Sequence, residues 1–173
     1  MIYFNGFALK GEEKFFTHIV DGSDFSVVGF SYGAKRAKEF VMKQLAKGMR
    51  VDRLMLISPL FFQMHDKKFK RLQLLGYTKE ADLYISNFLS NCFEPYEMRS
   101  VDLADHSKDE LEELLFFEWS VSELKSIADA GVIIEVYLGE RDAITPALEA
   151  YEFFRSVATV TLIKGANHFL LKE

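Results

Sequence analysis

Short apolar runs mark the predicted strands of this chain. They cover residues 2–4, 25–28, 53–57, 132–138 and 159–163. Runs without regular polar alternation are typical of parallel strands that are covered on both faces. A minor strand is also predicted over residues 17–20.

Helical periodicity occupies the intervals between these runs. An apolar stripe at helical spacing predicts a helix over residues 34–47, and the stripe consists of Ala34, Ala37, Val41 and Leu45. A short helix is predicted over residues 12–16, and a longer one over residues 146–154. Residues 60–130 contain several such stripes, and Ser107 with Glu110 has the spacing of a capping box.

Strands and helices thus alternate at both ends of the chain, with a long helical insertion between them. This order predicts an α/β fold in which a mainly parallel sheet is flanked by helices. Residues 60–130 are predicted to form a helical cap within a single domain that spans residues 1–173.

Composition narrows the classes of partner. With 173 residues, of which 49% are hydrophobic and 17 are phenylalanine, the chain can bury a core and an apolar pocket. A formal net charge of −5 argues against nucleic acid as the main partner. We expect a cytoplasmic protein, because no apolar run has the length of a membrane span, no export signal is recognised and Cys92 is the single cysteine.

A serine between two glycines is the first candidate for chemistry. The stretch Gly29-Phe30-Ser31-Tyr32-Gly33 follows a predicted strand and precedes a predicted helix. Glycines at such a corner leave room for a sharp turn that exposes the serine hydroxyl, which is the arrangement called a nucleophile elbow. A glycine-bracketed turn with a capping serine is the alternative explanation.

Two backbone amides are candidates for an oxyanion hole. The Tyr32 amide lies at the start of the predicted helix, directly after Ser31. The Phe7 amide lies in the turn Asn5-Gly6-Phe7, at the end of the first strand, where proteins with an elbow serine carry a second donor. A plain strand-ending turn is the alternative for these three residues.

A serine hydroxyl needs a base, and the base needs a carboxylate to hold it. Asp142 follows the strand predicted over residues 132–138, and His168 follows the last predicted strand. Because the carboxyl ends of parallel strands meet at one edge of a sheet, we expect Ser31, Asp142 and His168 to converge there as nucleophile, acid and base.

Other titratable residues are weaker candidates. Glu140 is a rival acid in the same loop as Asp142. The residues without a position at a strand end are His18, His65, His106, Asp102 and Asp105. The histidines and Cys92 do not have zinc-ligand spacing, and the chain has no glycine-rich phosphate loop, so no cofactor or metal is expected.

Four basic residues crowd the first helix of the insertion. Lys67, Lys70 and Arg71 share one face at i, i+3, i+4 spacing, and Lys68 adjoins them. In an acidic protein such a group predicts either a solvated face or a docking surface for an acidic partner.

Taken together, these stretches resemble a known family over nearly the full length of the chain. The chain is similar to the small α/β-hydrolases of the BioV type, which are pimeloyl-acyl carrier protein methyl ester esterases of biotin biosynthesis. The elbow and the loops of Asp142 and His168 are common to the superfamily, whereas the basic stretch at residues 69–74 points to this branch. The stretches that carry the resemblance are residues 5–7, 29–34, 69–74, 134–139 with Asp142, and 167–170.

The resemblance implies a substrate and a partner. Ser31 would attack the methyl ester of a pimeloyl chain borne by acyl carrier protein, and the apolar cap would hold the alkyl chain. The side chains that would bind the acidic carrier protein are Lys67, Lys68, Lys70 and Arg71. The chain departs from larger hydrolases because it lacks the leading strand pair and has Asn5 where a histidine is frequent. A general carboxylesterase or thioesterase, and a non-catalytic binding protein on the same scaffold, are the alternatives.

Overall fold

A parallel sheet forms the centre of the molecule. The computed structural model describes residues 1–20 and 22–173. The strands of these residues are β1 (Ile2–Phe4), β2 (Leu9–Lys10), β3 (Ser26–Phe30), β4 (Arg53–Ile57), β5 (Asp102–Leu103), β6 (Ile133–Gly139) and β7 (Thr159–Ile163). Within this part of the chain, five strands pair in parallel in the order β1-β3-β4-β6-β7. The strands predicted from the apolar runs are thereby confirmed.

The helices also follow the predicted order. They are α1 (Tyr32–Ala46), α2 (Lys67–Lys79), α3 (Ala81–Phe93), α4 (Lys108–Phe116), α5 (Val121–Asp129) and α6 (Ala147–Phe154), and a short 3₁₀ helix covers Glu12–Phe15. The predicted capping box opens α4: the Ser107 hydroxyl accepts from the Glu110 amide, and the Glu110 carboxylate accepts from the Ser107 amide, both at 3.2 Å. The capping signal of Ser107 and Glu110 therefore located the start of α4.

Alternate residues of the strands build two apolar layers. One face of the sheet packs against α1, α5 and α6 through Val27, Leu54, Leu56, Ile134, Val136 and Leu138. The opposite face packs against the N-terminal segment and the insertion through Val28, Phe30, Met55 and Ile57. Because both faces are covered, the strands are continuously apolar, as the sequence pattern indicated.

The insertion divides between two places in the fold. α2 packs against both α3 and α4, and these helices stand over the carboxyl ends of the strands. α5 instead contacts α1, and its Leu124 and Ile127 lie in the apolar layer beneath the sheet. We therefore refer to α2, α3 and α4 as the cap. Among the helices of the described residues, none combines the length and the apolar character that a bilayer crossing requires.

Ionic contacts attach α4 to α1. Lys35 lies 2.7 Å from Glu113, and Arg36 lies 2.6 Å from Glu110. The Tyr32 hydroxyl also donates to Glu113. Burial and this hydrogen bond raise the pKa of Tyr32 to about 12, so its hydroxyl stays protonated near neutral pH. The helix that follows Ser31 and one helix of the cap thus hold each other in place.

Two local predictions differ from the structure. The strand predicted over residues 17–20 is wrong, because the amides of Ile19 and Val20 both donate to the Phe16 carbonyl and fold this segment into turns. The short pairing of β2 with β5 was not predicted. Strands of two residues are too short to show a pattern of alternating polar and apolar residues. In this antiparallel pair Leu9 lies opposite Leu103.

Candidate active site

Ser31 lies in a strained turn between β3 and α1. Its backbone has φ 53° and ψ −116°, a region that residues other than glycine rarely adopt. A Cβ added to Gly29 would lie 2.3 Å from the Gly33 carbonyl oxygen, and one added to Gly33 would lie 2.0 Å from the Phe4 carbonyl oxygen. Both glycines are therefore required by backbone contacts, as the elbow interpretation predicts.

The loops after β6 and β7 bring Asp142 and His168 together. Nδ1 of His168 lies 2.7 Å from Oδ2 of Asp142, and both side chains are fully buried. Oδ1 of Asp142 accepts hydrogen bonds from the amides of Ile144 and Thr145, at 2.7 and 2.8 Å. The carboxylate is thus fixed through both oxygens, and it favours the tautomer of His168 in which Nδ1 carries the proton.

Nε2 of His168 is the free nitrogen of this pair. It is buried and has no hydrogen-bond partner among the described residues. The imidazole lies beside the elbow, since its ring centroid is 4.9 Å from that of Phe30, the neighbour of Ser31. A hydrogen bond from the Ser31 hydroxyl to Nε2 is not formed in this structure, so that contact stays a prediction. Catalytic hydrogen bonds are often long in unliganded enzymes and tighten when substrate binds.

Close backbone packing holds the two loops in register. A Cβ on Gly139 would lie 2.2 Å from the Asn167 carbonyl oxygen, so only glycine fits where β6 ends. The Arg141 amide donates to the Ala166 carbonyl at 2.8 Å. Glu140, the rival acid, accepts from the Gly165 amide at 2.8 Å and so connects the same two loops.

Asn167 and Ser58 support His168 and were not singled out from the sequence. Oδ1 of Asn167 accepts from the amides of Phe169 and Leu171, both at 3.0 Å, and Nδ2 donates to the Phe93 carbonyl at 2.8 Å. The Ser58 hydroxyl donates to the carbonyl of His168 itself, at 2.7 Å. Ser58 directly follows the apolar strand β4, and Asn167 directly precedes His168, and these are the sequence signals of the two positions.

An apolar cavity lies between Ser31 and the cap. Its volume is about 510 Å³. Its apolar wall consists of Phe7, Phe62, Phe69, Leu72, Phe88, Leu111, Leu114, Leu115, Ala143 and Ile144. The polar groups that join the wall are Ser31, His65, Gln73, Tyr84, Asn87 and Asn91. No Asp, Glu, Lys or Arg of the described chain lines this cavity, so it suits a neutral acyl group better than a charged one.

The candidate oxyanion amides belong to Tyr32, which follows Ser31, and to Phe7. Tyr32 is the first residue of α1, where backbone amides have no partner within the helix. Phe7 lines the cavity together with Ser31. Neither amide donates to an acceptor in the described part of the chain. Their role in binding an oxyanion remains a prediction.

The basic residues of α2 do not share one environment. Lys67, Lys68 and Arg71 are exposed, as a docking surface requires. Lys70 is only 5% exposed, and its ammonium lies 5.2 Å from the centre of the Phe116 ring on α4. The expectation that Lys70 binds a partner is therefore corrected: its cation–π contact holds α2 against α4.

The remaining rivals are placed away from the buried pair. His65 stacks on Phe69 in the cavity wall, with ring centroids 4.1 Å apart. Nδ1 of His106 lies 2.7 Å from the Tyr77 hydroxyl. Asp102 belongs to β5, and Asp105 and His18 are exposed. In residues 1–20 and 22–173, no group of three or more His, Cys, Asp or Glu side chains is arranged to hold a metal ion.

Comparisons with known proteins place the fold. No protein-family model matches the chain, and no curated protein sequence matches it. A bromoperoxidase from Bacillus anthracis superposes with a TM-score of 0.63 at 14% identity, over 83% of this chain and 60% of its own. The naproxen esterase (carboxylesterase NP) from Bacillus subtilis has a TM-score of 0.54 at 18% identity, over 84% of this chain and 53% of its own.

The chain has the α/β-hydrolase fold. BioG from Haemophilus influenzae shares it, with a TM-score of 0.55 at 15% identity over 98% of this chain and 88% of its own. This chain is thus similar in extent to BioG, whereas it spans 53% of the naproxen esterase and 60% of the bromoperoxidase. The predicted fold class is confirmed. Because the sequence identities are low, an activity has to be argued from the residues of the site and not from the shared fold.

Proposed function

We propose that this protein is a serine ester hydrolase in which Ser31 is the nucleophile, His168 the base and Asp142 the carboxylate that holds the base. The observation that carries the proposal is the buried hydrogen bond between His168 and Asp142, which leaves Nε2 free beside a strained serine. A buried imidazole with one nitrogen fixed and the other unpartnered is arranged to accept a proton.

The proposed reaction has two halves. Oγ of Ser31 attacks the ester carbonyl carbon while Nε2 of His168 accepts the hydroxyl proton. The new oxyanion accepts hydrogen bonds from the amides of Tyr32 and Phe7, each worth roughly 3 kcal/mol in the transition state. The bond to the alkoxide breaks, and Nε2 returns the proton to the leaving alcohol. A water molecule, deprotonated by the same nitrogen, then releases the acid from Ser31.

The substrate that we propose is the methyl ester of pimeloyl-acyl carrier protein, in cytoplasmic biotin biosynthesis. The uncharged cavity suits a neutral acyl ester, and BioG matches the chain over most of both lengths. Phe69 and Leu72 of α2 line the cavity, while Lys67, Lys68 and Arg71 of the same helix are exposed. An acidic carrier protein bound to these cations would therefore lie next to the cavity that receives its acyl chain.

A carboxylesterase or thioesterase for small acyl substrates is the second candidate. The naproxen esterase that shares the fold favours it. This candidate needs Ser31, Asp142 and His168 but assigns no role to the exposed cations of α2. The two candidates therefore differ in their prediction for the α2 surface.

Replacement of the nucleophile tests the esterase proposal. We expect Ser31→Ala to lower hydrolysis of a short p-nitrophenyl ester by about 10³-fold or more, because the attacking oxygen is removed. Ser86→Ala, an exposed serine of α3 outside the cavity lining, is the matched control and should retain full activity.

Two outcomes would contradict the proposal. Equal turnover by Ser31→Ala and the unmodified protein would reject Ser31 as nucleophile. An unmodified protein that hydrolyses neither p-nitrophenyl esters nor carrier-bound esters would favour the non-catalytic binding protein instead.

A further inference from the structure

A buried carboxylate lies directly behind the Asn5-Gly6-Phe7 turn. Glu12, in the 3₁₀ helix, is fully buried. Its Oε1 accepts from the Gly6 amide at 2.8 Å, and its Oε2 accepts from Nδ2 of Asn5 at 2.9 Å. The Tyr3 hydroxyl lies 3.5 Å from Oε1. One side chain thus binds consecutive residues of the turn that carries the candidate oxyanion amide.

Among the described residues, no cation compensates the charge of Glu12. Burial raises the pKa of Glu12, and the hydrogen bonds from Gly6 and Asn5 act in the opposite direction. Within the described residues, Glu13 is the charged group that acts on it, and Glu13 is also acidic. Burial of an unpaired carboxylate is unfavourable, so a position that only had to fill space would be better occupied by an apolar or amide side chain.

The hydrogen bonds determine which amide of the turn stays free. The Gly6 amide is directed to Glu12, while the next amide, that of Phe7, has no acceptor in the described part of the chain. After Phe7 the chain adopts φ 59° at Ala8, whose carbonyl accepts from the Ala104 amide at 2.9 Å. The turn is therefore held on both sides of Phe7, by Glu12 and by the segment that follows β5.

We propose that Glu12 is a positioning residue for the oxyanion hole: it holds Asn5 and Gly6 so that the Phe7 amide faces the oxygen of the substrate ester. This inference rests on the proposed hydrolase function. An oxyanion donor must lie about 2.7–3.1 Å from the developing charge, so even a small displacement of the turn weakens it. The oxyanion exists only in the transition state, and loss of the donor therefore lowers kcat and leaves KM nearly unchanged.

The test compares Glu12→Gln with Glu13→Gln. Glutamine keeps the shape of Glu12, but it replaces one carboxylate oxygen with an NH2 group, so a donor faces one of the two donors, the Gly6 amide or Nδ2 of Asn5, that Glu12 binds. We expect Glu12→Gln to lower kcat for a p-nitrophenyl ester by at least about 10-fold, with KM within about 2-fold. The neighbouring Glu13 is exposed, and Glu13→Gln should leave both constants unchanged.

A transition-state analogue separates positioning from a general loss of folded protein. A trifluoromethyl ketone forms an adduct with Ser31 that carries a negatively charged oxygen. Its inhibition constant should therefore rise in Glu12→Gln by the same factor by which kcat/KM falls. If Glu12→Gln does not fold, Asn5→Ala removes one of the same hydrogen bonds and should shift kcat and inhibition together by about 3-fold or more.

The outcomes distinguish this inference from the proposed function. Unchanged kcat and inhibition in Glu12→Gln or in a folded Asn5→Ala, with an active unmodified enzyme, would overturn the role of Glu12 and leave the esterase standing. A rise in KM without a fall in kcat would also overturn it. An unmodified protein that neither hydrolyses the ester nor binds the ketone would remove both.

Discussion

At the scale of single residues, the candidate site depends on positions where a side chain cannot fit. The elbow packs so closely that the Gly33 backbone touches the Phe4 and Asn5 carbonyls of the neighbouring strand end. Ser31 keeps its unfavourable φ of 53° because these contacts, and the hydrogen bond from its amide to the Ile57 carbonyl, hold it there. The strain of one residue is thus balanced by the packing of its neighbours.

Gly33→Ala is expected to destabilise the protein by at least about 3 kcal/mol. The added Cβ would lie 2.0 Å from the Phe4 oxygen and 2.6 Å from that of Asn5, and backbone atoms cannot move aside as a side chain can. Urea unfolding followed by circular dichroism measures the loss, which would also appear as a reduced yield of folded protein.

Gly76→Ala is the matched control. Gly76 lies inside α2, where a Cβ would be 3.5 Å from the Tyr84 ring, an ordinary contact. Alanine is the better helix former, so this change should raise the free energy of unfolding by up to about 1 kcal/mol. Equal stability of the two variants would show that the backbone around Gly33 can move to accept a Cβ, which would contradict the close packing of the elbow.

At the scale of elements, the contact between α1 and α4 fixes one helix of the cap. Glu113 receives the Lys35 ammonium and the Tyr32 hydroxyl, and both partners belong to the helix that begins directly after Ser31. The hydrogen bonds from Lys35 and then Tyr32 lower the pKa of Glu113 below its ordinary value of 4.5. A lowered pKa in the folded state means that the charged carboxylate stabilises the fold.

This stabilisation should disappear in acid. Because the folded pKa of Glu113 is below 4.5, its contribution is fully present above pH 4.5 and is lost as the pH falls through the folded pKa. We expect Glu113→Gln to lower the free energy of unfolding at neutral pH by up to about 1 kcal/mol, since Glu113 is half exposed. The difference from the unmodified protein should shrink in denaturation curves recorded well below pH 4.5.

Glu112→Gln provides the comparison for this effect. Glu112 is exposed on the same helix, and its replacement by glutamine removes the same formal charge. It should have a smaller effect at neutral pH, with little dependence on pH. A difference between Glu113→Gln and the unmodified protein that grew on acidification would contradict the assigned direction of the pKa shift.

At the scale of the whole molecule, the cavity is assembled from distant parts of the chain. Ser31 and Phe7 come from the strand ends, whereas Phe69, Leu72 and Phe88 come from the cap. The exposed cations of α2 adjoin this cavity, so the proposed carrier protein and its acyl chain would be bound by one face of the molecule.

Charge reversal of this face tests the proposed substrate. We expect the combined change of Lys67, Lys68 and Arg71 to glutamate to lower kcat/KM for a carrier-bound methyl ester by at least about 10-fold. Hydrolysis of a small free ester should stay within about 2-fold, because these side chains do not line the cavity. Added salt should slow the hydrolysis of the carrier-bound ester by the unmodified protein and have less effect on the variant.

The control reverses the same number of charges elsewhere. Lys43, Lys47 and Lys125 are exposed and lie outside the cavity lining. Their change to glutamate should affect neither substrate beyond about 2-fold. If the two triple variants respond alike, or if free and carrier-bound esters fall together, the small-substrate esterase is favoured.

The pattern of apolar and polar residues predicts most of the sheet but only part of the candidate site. Strands, helix starts and the convergence of Asp142 with His168 were predictable, because apolar runs, capping residues and the parallel topology are local or general features. The burial of Lys70 is not predictable from local pattern, since it depends on Phe116, a residue far along the chain. The hydrogen bonds of Glu12 and Asn167 likewise depend on tertiary contacts that periodicity does not encode.

The hydrogen bond between Asn167 and the Phe93 carbonyl connects the last residue of α3 to the segment that carries His168. A displacement of that end of α3 would pull on the imidazole, whereas no hydrogen bond of the described residues joins the opposite end, at Ala81, to the loop of His168. A motion that widens the cavity mouth and leaves His168 in place would therefore pivot at Phe93 and move the turn between α2 and α3 outward, so that the proposed ester could enter while the proposed base keeps its position.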